Sequence, residues 1–178
     1  MEYFIKMLGI TKSPPGVKFS EIIWSWVGGF LGIFPVAYMN YFLFEKSDYV
    51  FIIGSFGASA VLIYGAIRSP LAQPRNLVGG HVISAVIGVA VYKLFFWHMG
   101  LASAIAVATA IALMHATKTL HPPGGATALI AVIGSDKIHN LEFYYALVPV
   151  GSGAIIMLLI ALAINNISSR RRYPEFWI

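Results

Sequence analysis

The stretch KTLHPPGGATALIAV, residues 118–132, decides how this chain is read. It sits between two long apolar runs. Its own apolar part, Ala126–Ile133, is far too short for a spanning helix, which takes about 20 residues. Pro122 and Pro123 force extended backbone and bring no N–H groups. Gly124, Gly125, Ala126 and Thr127 can then open a helix whose first N–H groups are free, at the positive end of its dipole. Such a start suits an anion. In lipid, non-helical backbone survives only where protein buries it or where it lines a wet cavity. The broken segment is therefore a candidate site; its plain alternative is a tight surface turn.

The surroundings are those of a membrane protein. Of 178 residues, 58% are hydrophobic and 11% are charged, against about 25% charged in ordinary soluble domains. A soluble core of this size could not absorb so much apolar surface. The net charge of +5 lies in the connections, where it reads as a topology signal and headgroup contacts, with no nucleic-acid patch. With no cysteine there are no disulfides, thiolate metal sites or cysteine nucleophiles.

Five apolar runs are long enough to span: about Ile22–Phe44, Tyr49–Ile67, His81–Trp97, Leu101–Thr117 and Phe143–Ile167. The expected architecture is all-α, with five full transmembrane helices and the broken segment as a sixth crossing. Residues 1–21 form an interfacial arm, 22–167 the membrane domain and 168–178 a basic tail. Gly28, Gly29 and Gly32 in the first run, and Ala104, Ala108, Ala112 and Ala116 in the fourth, have the spacing of close helix contacts. These faces also suit a homo-oligomer. Ser69–Gly80 runs from Pro-interrupted chain into the Gly79–Gly80 pair, which predicts a second helix start there. Paired interruptions in the two halves of a transporter point to its binding site.

If residues 121–136 cross the membrane, both termini share one side with nine Lys and Arg residues (Lys6, Lys12, Lys18, Arg68, Arg75, Lys118 and Arg170–Arg172). Lys46 and Lys137 fall on the other. A re-entrant segment splits them seven to four. The positive-inside rule favours the crossing, with both ends cytoplasmic. The N-terminal stretch has no signal-peptide pattern, so the first helix is expected to direct insertion itself.

Polar residues near the breaks complete the candidate site. His81, His115 and His121 either converge as ligands or proton carriers, or simply bond neighbouring helices. Arg75 and Lys118 draw anions to a mouth or pair with lipid phosphates. Ser55, Ser59, Thr117, Thr119 and Thr127 are candidate anion donors, with back-bonding to their helices as the alternative. Asn76 and Gln73 are expected to satisfy local backbone. Every acidic residue falls outside the apolar runs, which argues against a carboxylate relay for cations. No two-His-plus-carboxylate spacing suggests a metal, and no cofactor is implied. A hydrolase would need Ser55 or Ser59 to pair with His115, and no motif supports this; a non-transporting scaffold is the other rival.

GSFGASAVL (54–62), SPLAQPRNLVGGHVISA (69–85) and KTLHPPGGATALIAV (118–132) together resemble the HPP family of small integral membrane proteins. The family's motif falls on His121, Pro122 and Pro123. The resemblance implies a membrane protein of four or more helices. It also implies a link to nitrite transport, with which cyanobacterial and plastid members are associated. The N-terminus is not a Ser/Arg-rich transit peptide, which favours a bacterial inner-membrane protein. The expected function is passage of a small anion, nitrite by resemblance, bound where the Gly124–Thr127 and Gly79–Gly80 helix starts face each other.

Overall fold

The computed structural model describes residues 2–7, 11–43 and 52–178. The expected Glu45–Asp48 connection, with Lys46, lies outside them. Among the described residues the regular structure is helical and no β-sheet forms; residues 119–121 are a non-helical strand of chain. A short α1 (Glu2–Ile5) precedes α2 (Phe19–Tyr38), α3 (Ser55–Gly65), α4 (Pro74–Phe95), α5 (Met99–Ala116), α6 (Pro122–Ile133), α7 (Asp136–Asn140) and α8 (Ser152–Asn165).

Among the described residues, four segments are long and apolar enough to span: Phe19–Phe42, Pro74–Phe95, Met99–Ala116 and Glu142–Asn165. Of the five full spans expected, these four are found among the described residues. In the described part of the second apolar run the helix is α3, about 16 Å long at 1.5 Å per residue, half the hydrocarbon thickness of about 30 Å. Residues 52–54 are not helical; there the Ile52 N–H is donated to the Asn40 side chain, 3.2 Å away. Hydropathy registers apolar side chains and is blind to that bond. The last span is interrupted too, at Val148 (φ −133°, ψ 119°) just before Pro149.

The start of α4 is a second correction. The helix opens on Pro74 and passes through Gly79 and Gly80 to Phe95. Proline fits the first helical position because the missing N–H would be unpaired there anyway. The glycine pair is therefore helix interior, used for close approach to the 119–121 strand. The matched interruptions are α3 and α6, not 69–80 and 121–127.

α6 runs parallel to α4: Gly80 packs on His121, and Gly88 on Ala128 and Ala131. The strand leading into α6 starts at the first turn of α4, where Arg75 Nη2 donates to the Thr117 carbonyl at 2.7 Å. Just beyond α6, His139 stacks on Tyr92 near the last turn of α4, with ring centroids 3.8 Å apart. Residues 117–133 thus follow α4 from one end to the other. α3 runs the opposite way, with Ser55 beside Thr127 and Ser59 beside His121. The first turns of two half-helices therefore lie side by side and run in opposite directions.

Small residues set these distances. Gly28 and Gly32 of α2 receive the ring of Tyr64, whereas Gly29 faces open space. On α5 the buried stripe is Ala102, Ala106, Ala110 and Met114. The expected stripe of Ala104, Ala108, Ala112 and Ala116 is exposed. Alanines recur two residues apart along α5, so spacing alone cannot choose between the two faces.

Candidate functional site

Where α3, α4 and α6 meet, Ser55, Ser59, His81, His121 and Thr127 are all buried, with exposures of 0–1%. Ser55 and Ser59 come from successive turns of α3, His81 from the second turn of α4, and Thr127 from the second turn of α6. His121 caps α6, held in extended conformation (φ −139°, ψ 104°) by the prolines that follow. All five were expected at the site, and they form one hydrogen-bonded chain.

One end of that chain sets the direction of every bond. A carbonyl only accepts, so His121 donates Nδ1–H to the Leu71 oxygen at 2.8 Å. A neutral His121 then has a bare Nε2, which takes the Ser59 hydroxyl proton at 2.8 Å. With its proton committed, Ser59 Oγ accepts Nε2–H from His81 at 2.7 Å. His81 Nδ1 is consequently the acceptor for the Thr127 hydroxyl, also at 2.7 Å. Thr127 Oγ1 also lies 2.9 Å from Ser55 Oγ, an alternative acceptor for the same hydroxyl proton. For neutral imidazoles every tautomer follows from the Leu71 carbonyl.

Tyr145 supports the chain from the last span by donating to the Thr127 carbonyl at 3.3 Å. The Phe56 ring meets His81 edge-on. Among the described residues no carboxylate bonds to this network. Leu71 and Tyr145 escaped the sequence reading: one acts through its backbone, and the other is an ordinary aromatic among several.

The remaining candidates divide. Pro123 and Gly124 are buried beneath the chain, while Pro122 is exposed. A Cβ on Gly124 would lie 2.8 Å from Ser84 Oγ and 2.9 Å from the Gly80 carbonyl. On Gly125 it would meet only Val107 at 3.9 Å, so Gly125 faces α5; Ala126 is half-buried. The Gly124 N–H is donated to the His121 carbonyl at 2.8 Å. With two prolines ahead of it, the first turn of α6 therefore presents no free backbone donor through residue 124. Donors to a ligand at this level come from side chains.

His115 is exposed on α5 and does not join the other two histidines. This removes the Ser–His115 pairing that a hydrolase would have used. Gln73 satisfies local backbone as expected, on the carbonyls of Ile67 and Ser69. Asn76 instead reaches across to the Leu120 carbonyl at 2.8 Å and pins the strand into α6. Thr117 back-bonds to Leu113.

Arg75 and Lys118 lie at the outer end of that strand. Lys118 has φ 57°, a left-handed conformation that glycine favours. Its N–H bonds the His115 carbonyl, and the Thr119 N–H bonds that of Met114, which together form a Schellman cap on α5. The same end of the bundle has an open cleft of about 990 Å³, bordered by Lys18, Arg68 and Arg170. No network residue lines it.

The C-terminal tail folds onto this end. Arg171 is buried, pairing with Glu21 at 3.0 Å and donating to Asn165 and the Tyr64 carbonyl. Tyr173 donates to the Ala72 carbonyl at 2.7 Å. Burial pushes its phenol well above the usual range, which keeps it a donor.

Fold and site together define a multi-spanning helical membrane protein whose polar residues are gathered where two half-helices begin. The chain belongs to the HPP family: the family's profile, described as "HPP, transmembrane region", matches residues 14–174. It is similar to two proteins of Dictyostelium discoideum, each named only as a transmembrane protein. One is 47% identical over 180 residues, covering 99% of this chain and 58% of the relative. The other is 45% identical over 182 residues, covering 99% and 64%. The chain thus spans about three fifths of the length of these relatives. No solved structure matches it.

Proposed function

We propose that this protein carries a small inorganic anion across the membrane, with nitrite, which the family resemblance names, as the leading substrate. The carrying observation is the wholly buried chain of hydroxyls and imidazoles at the paired starts of α3 and α6. Polar groups gathered at broken helices inside a membrane domain are the usual makings of a substrate pathway. A site of neutral donors without a bonded carboxylate favours an anion over a cation, and both helix dipoles add positive potential there. Arg75 and Lys118 would gather anions at the entrance. In this reading α6 completes its crossing with the non-helical chain that leads into it. The end bearing Lys18, Arg68, Arg75, Lys118 and Arg170–Arg172 faces the cytoplasm of a bacterial inner membrane.

The test is flux into proteoliposomes of nitrite, compared with nitrate, chloride and formate. Nitrite uptake above protein-free vesicles supports the reading; folded protein that passes none of the four overturns it.

One observation favours a second reading. Ser59, His121 and the Leu71 carbonyl stand in the order of nucleophile, base and orienting acceptor. A hydrolase predicts covalent capture of a serine-reactive probe, abolished in Ser59→Ala. The transport reading predicts no labelling, since Ser59 is fully buried and also accepts from His81.

A further inference from the structure

We infer that the two histidines joined through Ser59 form a proton-binding site, and that the transported anion binds together with one proton. The inference rests on the anion reading above and names the co-substrate of that same site.

The observation is that each bridging hydroxyl has a second acceptor in reserve. Ser59 Oγ lies 2.8 Å from His121 Nε2 and 3.3 Å from the Ser55 carbonyl. Thr127 Oγ1 lies 2.7 Å from His81 Nδ1 and 3.3 Å from the Pro123 carbonyl. When His121 is neutral, the Ser59 proton points to its Nε2. When a proton arrives on Nε2, the Ser59 hydroxyl turns to the Ser55 carbonyl, and Oγ accepts from both imidazoles. His121 keeps its Nδ1–H on Leu71. Thr127 gives His81 the same option through Pro123. The network thus accommodates an added proton with no buried donor or acceptor left unpaired, which is otherwise costly. Purely structural packing has no need of this second arrangement.

Charge supplies the other half. An imidazolium at this depth needs a counter-charge. The groups facing the histidines are Ser55, Ser59 and Phe56 of α3, Ser84 of α4, Met114 of α5, Thr127 of α6, the Leu71 carbonyl, and Tyr145 through Thr127. None carries a negative charge as a hydroxyl or thioether. Arg75 and Lys118, at the outer end of the strand, are cations. A bound anion X⁻ supplies the counter-charge that none of these groups carries. On entry, H⁺ adds to the Nε2 lone pair as X⁻ binds; on exit, Nε2 returns the proton as X⁻ leaves. Each cycle moves one proton and one anion and no net charge.

The experiment loads proteoliposomes with a pH-sensitive dye, clamps the membrane potential with potassium and valinomycin, and imposes an inward nitrite gradient. The expected result is interior acidification of one proton per nitrite above protein-free vesicles, with flux independent of the clamped voltage. The variant His121→Asn keeps an N–H for Leu71 but no titratable nitrogen, and should abolish the protein-dependent acidification. Nitrite flux that follows the voltage without acidification overturns the inference and leaves the anion reading standing. Absence of any anion flux overturns both. Acidification undiminished in both His121→Asn and His81→Asn, with folding confirmed by thermal unfolding, removes the histidine pair from the coupling.

Discussion

Gly80 and His121 pack so closely that a Cβ on the glycine would lie 2.6 Å from the histidine Cβ and 2.7 Å from the Thr119 carbonyl. One obstacle is backbone, so the neighbour cannot swing away. Gly80→Ala should destabilise the protein by about 1–3 kcal/mol, the usual range for overpacking, and displace the imidazole. Gly29→Ala, where nothing lies within 4 Å, is the control and should be neutral. Thermal unfolding of both variants checks this; equal melting temperatures would refute the packing argument.

The left-handed Lys118 separates conformation from charge. A non-glycine residue there costs roughly 1–2 kcal/mol, so Lys118→Gly should stabilise the protein by about 1 kcal/mol. If its ammonium gathers anions, the same variant should carry less nitrite at low ionic strength, with the difference shrinking in high salt. A more stable variant with undiminished flux at low salt would show that Lys118 has no part in the entrance.

Nitrogen-15 spectra of histidine-labelled protein read the network directly. His121 should carry its neutral proton on Nδ1, and His81 on Nε2. The assignment follows from one carbonyl and four distances between 2.7 and 2.8 Å. Finding neutral His121 protonated on Nε2 would break the chain of deductions at its first link.

Within the arginine triplet, only Arg171 should matter for stability. Its side chain is 1% exposed and its partner Glu21 31% exposed. Arg171→Ala should cost about 3 kcal/mol, the low end for breaking a buried pair, because Glu21 stays partly solvated. Arg170→Ala and Arg172→Ala should fall within about 0.5 kcal/mol of the parent. Chemical unfolding of the three variants would separate these outcomes.

Much of the site was legible because broken helices in apolar surroundings have few explanations. Pro122–Pro123 announced the break before α6, and Ser55, Ser59, His81, His121 and Thr127 were the polar residues near such breaks. What stayed hidden depended on hydrogen bonds between distant segments. The Ile52 N–H goes to the Asn40 side chain ahead of α3, and no periodicity records that. The start of α4 was placed late because Gly79–Gly80 reads as an interruption, although glycine also serves close packing within a helix. His115 was grouped with the other histidines by type, yet its position on α5 turns it outward. Arg171 was one of three like charges until the fold chose it.

The tail has a consequence for how force reaches the site. Tyr173 holds the Ala72 carbonyl, and the Glu175 N–H is donated to Gln73 Oε1 at 2.9 Å. The adjoining residue, Leu71, supplies the carbonyl that orients His121. The final residues are therefore a handle on the histidine pair. A load hung from Ile178, such as a fused domain or a surface tether, pulls on the same short loop from which the direction of the whole proton chain is set.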